Sequence, residues 1–142
     1  MKLQKITPFL WFNSGGEEAA KFYCTVFKNS KIITSNPMVT SFDLEGLNIS
    51  ILNGGPMFKL NESFSLMISC DTQEEIDYFW NTLTADGGEE SQCGWLKDKY
   101  GVSWQVVPSI LPQLMSDPAK SQKVIQAFLK MKKFDIETLM KA

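Results

Sequence analysis

The residue most often used for acid and base chemistry near neutral pH is missing, because the sequence contains no histidine. Its absence removes Ser-His-Asp and Cys-His catalysis, histidine-based zinc sites and a histidine acid or base. Three cysteines, Cys24, Cys70 and Cys93, lie in no close metal-ligand spacing, and their odd number argues against a complete disulfide framework. Reduced thiols in a cytoplasm are the simplest reading. Cys93 and Trp95 could together make a reactive thiol beside an aromatic wall. Thiol activation needs a nearby cation or helix N-terminus, and neither can be assigned, so a packed Trp95 and an inert Cys93 are expected. Asp98 could act as a general base, but Asp98-Lys99-Tyr100-Gly101 has the composition of a tight turn, which favours a structural role. Asn53-Gly54-Gly55-Pro56 could offer backbone N–H groups to an anion. It has no following helix and no phosphate-loop spacing, so an ordinary turn is expected. No residue is assigned a catalytic role, and no cofactor is expected.

The bulk properties fit this lack of catalytic signals. At 142 residues the chain has the length of one ordinary domain, and 44% hydrophobic with 21% charged residues is a globular composition. A net charge of −2 gives no reason to expect nucleic acid or an anionic membrane as partner. No apolar run approaches transmembrane length, and Met1-Lys2-Leu3-Gln4-Lys5 opens no signal-peptide core, so a cytoplasmic protein is expected.

Two similar sets of elements must position these residues. Alternation predicts a strand over 6–12, with Thr7, Phe9 and Trp11 on one face and Pro8, Leu10 and Phe12 on the other. Asn13-Ser14-Gly15-Gly16 ends it, and Ser14 is the expected N-cap of a helix over 16–28 with Ala19, Phe22, Tyr23, Val26 and Phe27 on its apolar face. Strands are predicted over 31–35, 39–44 and 47–52, the last two joined by the turn Asp43-Leu44-Glu45-Gly46. A loop over 57–62 leads to a strand over 64–70. A helix follows over 73–84, with Ile76, Phe79, Trp80 and Leu83 facing inward. Short strands near 89–92 and 95–97 precede a final strand over 102–108. One shift lays Glu17-Glu18, Phe22 and Tyr23 on Glu74-Glu75, Phe79 and Trp80. Nearly the same shift lays Asp43 and Gly46 on Asp98 and Gly101, which implies duplication. Residues 109–142 stand outside the repeat, where Asp117-Pro118 signals a helix start and Val124, Ile125, Phe128 and Leu129 form a stripe. Phe134-Asp135-Ile136 is expected to interrupt this tail, which reads as a lid on the sheet or a dimer contact.

This twice-written strand–helix–strand–strand–strand unit resembles the vicinal oxygen chelate superfamily, which includes glyoxalase I, extradiol dioxygenases and fosfomycin-resistance proteins. Within it the chain is similar to the PhnB-like family, often labelled 3-demethylubiquinone-9 3-methyltransferase. The resemblance rests on Trp11-Phe12 through Glu17-Glu18-Ala19 to Phe22-Tyr23, Asn53-Gly54-Gly55-Pro56 with Phe58, and Cys70-Asp71-Thr72 with Glu74-Glu75. It continues through Gly87-Gly88-Glu89-Glu90, Cys93 to Gly101, Ser103-Trp104-Gln105 and Met131-Lys132-Lys133. It implies an α+β fold in which two βαβββ modules, about 5–55 and 63–108, form a curled mixed sheet around a cleft, followed by a C-terminal helical tail in a single domain. The resemblance also places the superfamily's metal ligands near Pro8, Ser50, Ser65 and Gln105. Proline has no side-chain donor, serine is a poor ligand for a divalent ion, and one amide oxygen is far from a stable site. No metal is therefore expected.

If Phe9, Trp11, Ile49, Ile51, Leu66, Ile68, Trp104 and Val106 pack under the helices, the opposite faces line the cleft. In the first module these faces carry Leu10, Phe12, Asn48, Ser50 and Leu52. In the second they carry Ser65, Met67, Ser69, Ser103, Gln105 and Val107, with Trp95 at the rim. Apolar residues mixed with hydroxyls and amides suit a small-molecule pocket, although antiparallel sheets also show such faces to water. The leading expectation is a metal-free small-molecule-binding protein that forms a homodimer. Two alternatives remain: a lyase, isomerase or dioxygenase with a non-standard metal or none, and an interaction module. Methyl transfer is not expected, since the sequence lacks the glycine-rich cofactor loop of doubly wound methyltransferases.

Overall fold

A computed structural model describes residues 4–142. Residues 1–3, and with them most of the stretch read for a targeting signal, lie outside the described residues. The chain divides into two compact units, Met1–Leu60 and Asn61–Ala142, and the boundary falls in the loop predicted over 57–62.

The first unit runs β1 (Phe9–Phe12), α1 (Gly16–Val26), β2 (Ser30–Ser35), β3 (Val39–Leu44) and β4 (Leu47–Asn53). Its sheet has the order β1-β4-β3-β2, with β1 parallel to β4 and the other pairs antiparallel. Ala19, Ala20, Tyr23 and Val26 of α1 are buried with Phe42, Ile49 and Ile51 of the sheet. Ser14 does not cap α1. Gly15 holds the N-cap position with φ 78°, and Asn53 Oδ1 of β4 accepts from Gly16 N at 2.9 Å. The exposed donor predicted to find its acceptor locally finds it in a distant strand instead.

The second unit repeats the order as β5 (Ser65–Cys70), α2 (Gln73–Thr84), β6 (Glu89–Glu90), β7 (Trp95–Lys97) and β8 (Ser103–Pro108). Its sheet has the order β5-β8-β7-β6, again with one parallel pair, β5 with β8. Among the described residues the strands thus form two four-stranded mixed sheets, one in each unit. α2 has the predicted bounds, and Thr72 caps it by accepting from Glu75 N at 3.1 Å. Ile76, Trp80 and Leu83 are buried as its period requires, while Phe79 is only half-buried.

The tail is three short helices, not one: α3 (Leu111–Ser116), α4 (Ser121–Phe128) and α5 (Ile136–Lys141). Asp117 does not cap a helix starting at Pro118. Its carbonyl accepts from Lys120 N and Ser121 N and its carboxylate from Ala119 N, which closes a turn before α4 begins. α5 starts where the Phe134-Asp135-Ile136 interruption predicts, with Asp135 accepting from Thr138 N at 3.1 Å.

The segment between α4 and α5 clasps the second unit. The carbonyls of Met131 and Lys132 accept from Cys93 N and Gly94 N, both at 2.8 Å. Gln73 Nε2 donates to the Phe134 carbonyl at 2.9 Å, and Gln73 Oε1 accepts from Ile136 N at 2.8 Å. Lys133 pairs with Asp77 at 2.9 Å. Phe134 lies so close over Gly94 that a Cβ there would collide with its ring and meet the Val106 carbonyl at 2.8 Å, and Gly94 also has φ 80°. Only glycine satisfies both conditions.

Candidate functional site

Residues directly opposite one another in a ladder share a face, so register decides which side chains leave the helix-covered side. In the first unit Leu10 pairs with Ile51 and Phe12 with Asn53. Ile51 lies against α1, since a Cβ on Gly16 would meet its Cγ2 at 2.7 Å. Leu10 and Phe12 are therefore core residues, 3% and 6% exposed, and not residues of the open face. Phe9 and Trp11 take their place, opposite Ser50 and Leu52. The four residues of β1 are all apolar, so nothing in their alternation marks which set faces outward. The same register moves the position beside Ser50 from Pro8 to Phe9, and Pro8 contributes only its carbonyl, which accepts from Ser50 N at 3.0 Å.

The polar groups of this face are largely engaged. Ser50 is 6% exposed and its hydroxyl lies 2.8 Å from that of Ser41. The backbone of Asn48 is bonded in both directions by the side chain of Gln4, at 2.9 and 3.1 Å. At the strand's end, Gly54 N and Gly55 N donate to the carbonyls of Phe12 and Asn13, and Trp11 Nε1 donates to the Gly55 carbonyl at 2.9 Å. A Cβ on Gly54 would lie 2.5 Å from the Trp11 ring, so the stretch is a packed turn whose donors are not offered to an anion.

The second unit differs. Ser65 pairs with Ser103, Met67 with Gln105 and Ser69 with Val107, while Trp95 pairs with Gln105 and Lys97 with Ser103. The open face thus collects Ser65, Met67, Ser69, Trp95, Ser103 and Gln105. Gln105 Nε2 donates to Ser65 Oγ at 2.9 Å. Ser103 is 3% exposed, and its Oγ is the buried side-chain polar atom without a hydrogen-bond partner among the described residues. It lines a cavity of about 570 Å³ together with Trp95, Cys93, Lys97, Glu62 and Glu89.

Sequence reasoning missed Lys97, Glu62 and Glu89. Alternation within β7 puts Lys97 on the face of Trp95, and register brings Glu89 opposite Lys97, so two of them had a local signal. Glu62 comes from the loop before β5 and had none. Lys97 Nζ lies 3.1 Å from Glu62 Oε2 and holds that carboxyl below the usual range, chiefly through the hydrogen bond and then through charge. Both groups are well exposed, so the pair contributes little to stability.

The reading of Asp98 as a general base resolves as structural. Asp98 is 3% exposed and both of its oxygens are used. Oδ1 accepts from Tyr100 N and Val102 N, and Oδ2 accepts from Trp104 Nε1 at 2.8 Å. Among the thiols, burial pushes Cys70 up to about 12, with Glu75 and Asp71 adding to it, and burial raises Cys24 as well.

Among the described residues no group of three or more Cys, Asp or Glu side chains could hold a metal ion. The register partners on the open faces are Phe9 with Ser50 and Met67 with Gln105. These donors do not fit a divalent cation, which takes imidazole, thiolate or several oxygen ligands. No helix among the described residues is long and apolar enough to cross a membrane.

Comparison with known proteins agrees with this architecture. The family model described as 3-demethylubiquinone-9 3-methyltransferase matches residues 4–107. No curated protein shows a significant match. A PhnB protein from Bacillus cereus, itself described as a 3-demethylubiquinone-9 3-methyltransferase, is 32% identical with a TM-score of 0.67, over 74% of this chain and 99% of that one. Protein PA1353 from Pseudomonas aeruginosa is similar at 19% identity and a TM-score of 0.61, over 75% and 98% of the two chains. The fosfomycin resistance protein FosX from Listeria monocytogenes, complexed with Mn(II) and sulfate, shares the fold at 16% identity and a TM-score of 0.58, over 87% and 98%. The fold does not support the methyltransferase label, because two mixed sheets offer no doubly wound parallel sheet for a nucleotide-like cofactor. The chain belongs to the family described as 3-demethylubiquinone-9 3-methyltransferase, the PhnB-like branch of the glyoxalase and bleomycin-resistance fold.

Proposed function

We propose that this protein binds a small organic molecule on the open face of its second sheet, held by side chains rather than through a metal ion. The observation that carries this reading is the Ser103 hydroxyl, buried without a partner at a cavity of about 570 Å³ beside Trp95. A buried hydroxyl left unbonded costs free energy, on the order of 1–3 kcal/mol, which a ligand polar group would recover once a turn of the Ser103 side chain brings its enclosed Oγ to the cavity. The cavity volume lies within the range of ligand sites, and Trp95 supplies an apolar wall among predominantly polar and charged lining residues. In this reading the protein works in the cytoplasm as a homodimer.

Differential scanning fluorimetry with a broad metabolite panel tests the binding, followed by titration of the intrinsic fluorescence in the native protein and in Trp95→Phe, whose difference isolates Trp95 from the other three tryptophans. Ser103→Ala should weaken any hit several-fold while leaving the melting temperature unchanged or raised. A panel with no hits, or hits indifferent to both Ser103→Ala and Trp95→Phe, would overturn the proposal. Light scattering after size exclusion checks the dimer.

A further inference from the structure

The charges around the Ser103 cavity indicate what kind of molecule it takes. Three carboxylates line it, those of Glu62, Glu89 and Glu90, against the single ammonium of Lys97. That ammonium is engaged by Glu62 at 3.1 Å and has Glu89 opposite it in the ladder. Glu90 faces the other way in part, since its Oε1 accepts from Trp80 Nε1 at 2.8 Å. An anionic ligand would have to displace Glu62 from Lys97 and would still meet Glu89. A cation is favoured by the balance of charge: Glu62 already neutralises Lys97, which leaves Glu89 exposed on the cavity's side of the sheet as a carboxylate that a ligand would share with Lys97, and the indole of Trp95 lines the same cavity.

Resting on the binding reading above, we infer that the ligand class is a small organic cation: a flat apolar body against Trp95, an ammonium or amidinium group at Glu89, and a polar group that reaches Ser103 Oγ. Acidic residues alone would not establish this. The buried and unpartnered Ser103 hydroxyl marks the cavity as a site, and the charge balance then selects the sign of what enters it.

Three probes built on one ring test the assignment: 2-naphthylmethylamine, 2-naphthylmethanol and 2-naphthoate, each titrated by calorimetry and by saturation-transfer NMR at neutral pH. The amine should bind roughly fivefold to tenfold more tightly than the alcohol at low salt, with the carboxylate weakest. The amine's advantage should shrink in about 0.5 M salt, where charges are screened over a few ångströms. Glu89→Gln should lower the amine's affinity and leave the alcohol's unchanged, and the exposed position of Glu89 leaves folding intact. Ser103→Ala should weaken the alcohol and the amine. Equal binding of all three probes, preference for the carboxylate, or a Glu89→Gln variant that still prefers the amine would overturn the cation assignment while leaving small-molecule binding in place. Failure of all three probes to bind would overturn both.

Discussion

At the scale of single residues, the two copies of the turn show how one sequence signal acquired two different energetic roles. In the first copy Asp43 Oδ1 accepts from Gly46 N, at 2.8 Å, in an exposed turn. In the second, Asp98 is buried and anchors two backbone donors and the Trp104 indole. Asp43→Ala should therefore cost about 1 kcal/mol or less, whereas Asp98→Ala should cost about 2–4 kcal/mol, because it strands buried donors. Urea unfolding of the two variants checks the contrast, and equal costs would contradict it. The thiols give a second prediction at this scale. Cys70, raised from 9.0 to about 12, is protonated in the folded chain where the unfolded chain would ionise. Its stabilising contribution is complete below pH 9 and is lost as pH rises toward 12. Cys70→Ala should flatten that alkaline decline. At pH 8 a thiol reagent should label half-buried Cys93 well before Cys70, as peptide mapping would reveal.

At the scale of elements, sequence alone located most helices and strands and failed where phase or distant partners decide. The bounds of α2 and its Thr72 cap follow from local pattern, and so does the β3–β4 hairpin. The phase of β1 could not be read, because Phe9-Leu10-Trp11-Phe12 is apolar on both faces and only the parallel register with β4 separates core from open side. The start of the tail helix failed for a related reason: Asp117 serves a turn as readily as a cap, and the turn won. Of the candidate site, the second-sheet side chains were legible from alternation, whereas Glu62 depends on where a loop passes. The Cys93–Gly94 corner yields an element-level prediction. Gly94→Ala should destabilise by roughly 2–4 kcal/mol through clash and positive φ together, and should release the 131–134 segment from β7. Hydrogen exchange at the amides of residues 93 and 94, which donate to the Met131 and Lys132 carbonyls, would report that release.

At the scale of the whole molecule, the chain consists of two compact units, and the tail belongs to the second. Val124, Phe134 and Leu139 are buried at 0%, 2% and 1% exposure, so the tail is part of that unit's core. A chain ending at Pro108 should lose cooperative unfolding or aggregate, which thermal melts and light scattering would show. Acid should loosen the same region. Lys133 and then Gln73 hydrogen-bond the Asp77 carboxylate and hold it below its usual range. That stabilisation is present above the ordinary carboxylate value and disappears as pH falls through the lower folded one. Asp77→Asn should remove part of the acid dependence of the melting temperature, by a small amount because the pair is exposed.

The bond between the tail and α2 passes through a primary amide that both gives and receives. Gln73 donates to the Phe134 carbonyl and to Asp77 Oδ1, the latter at 3.1 Å, and accepts from Ile136 N. Exchanging its nitrogen for oxygen alters almost no volume, yet it abolishes both donations and sets a negative charge against a carboxylate and a carbonyl. Spontaneous deamidation of that one side chain would thus act as an ageing mark on the protein, loosening residues 134–136 from the start of α2.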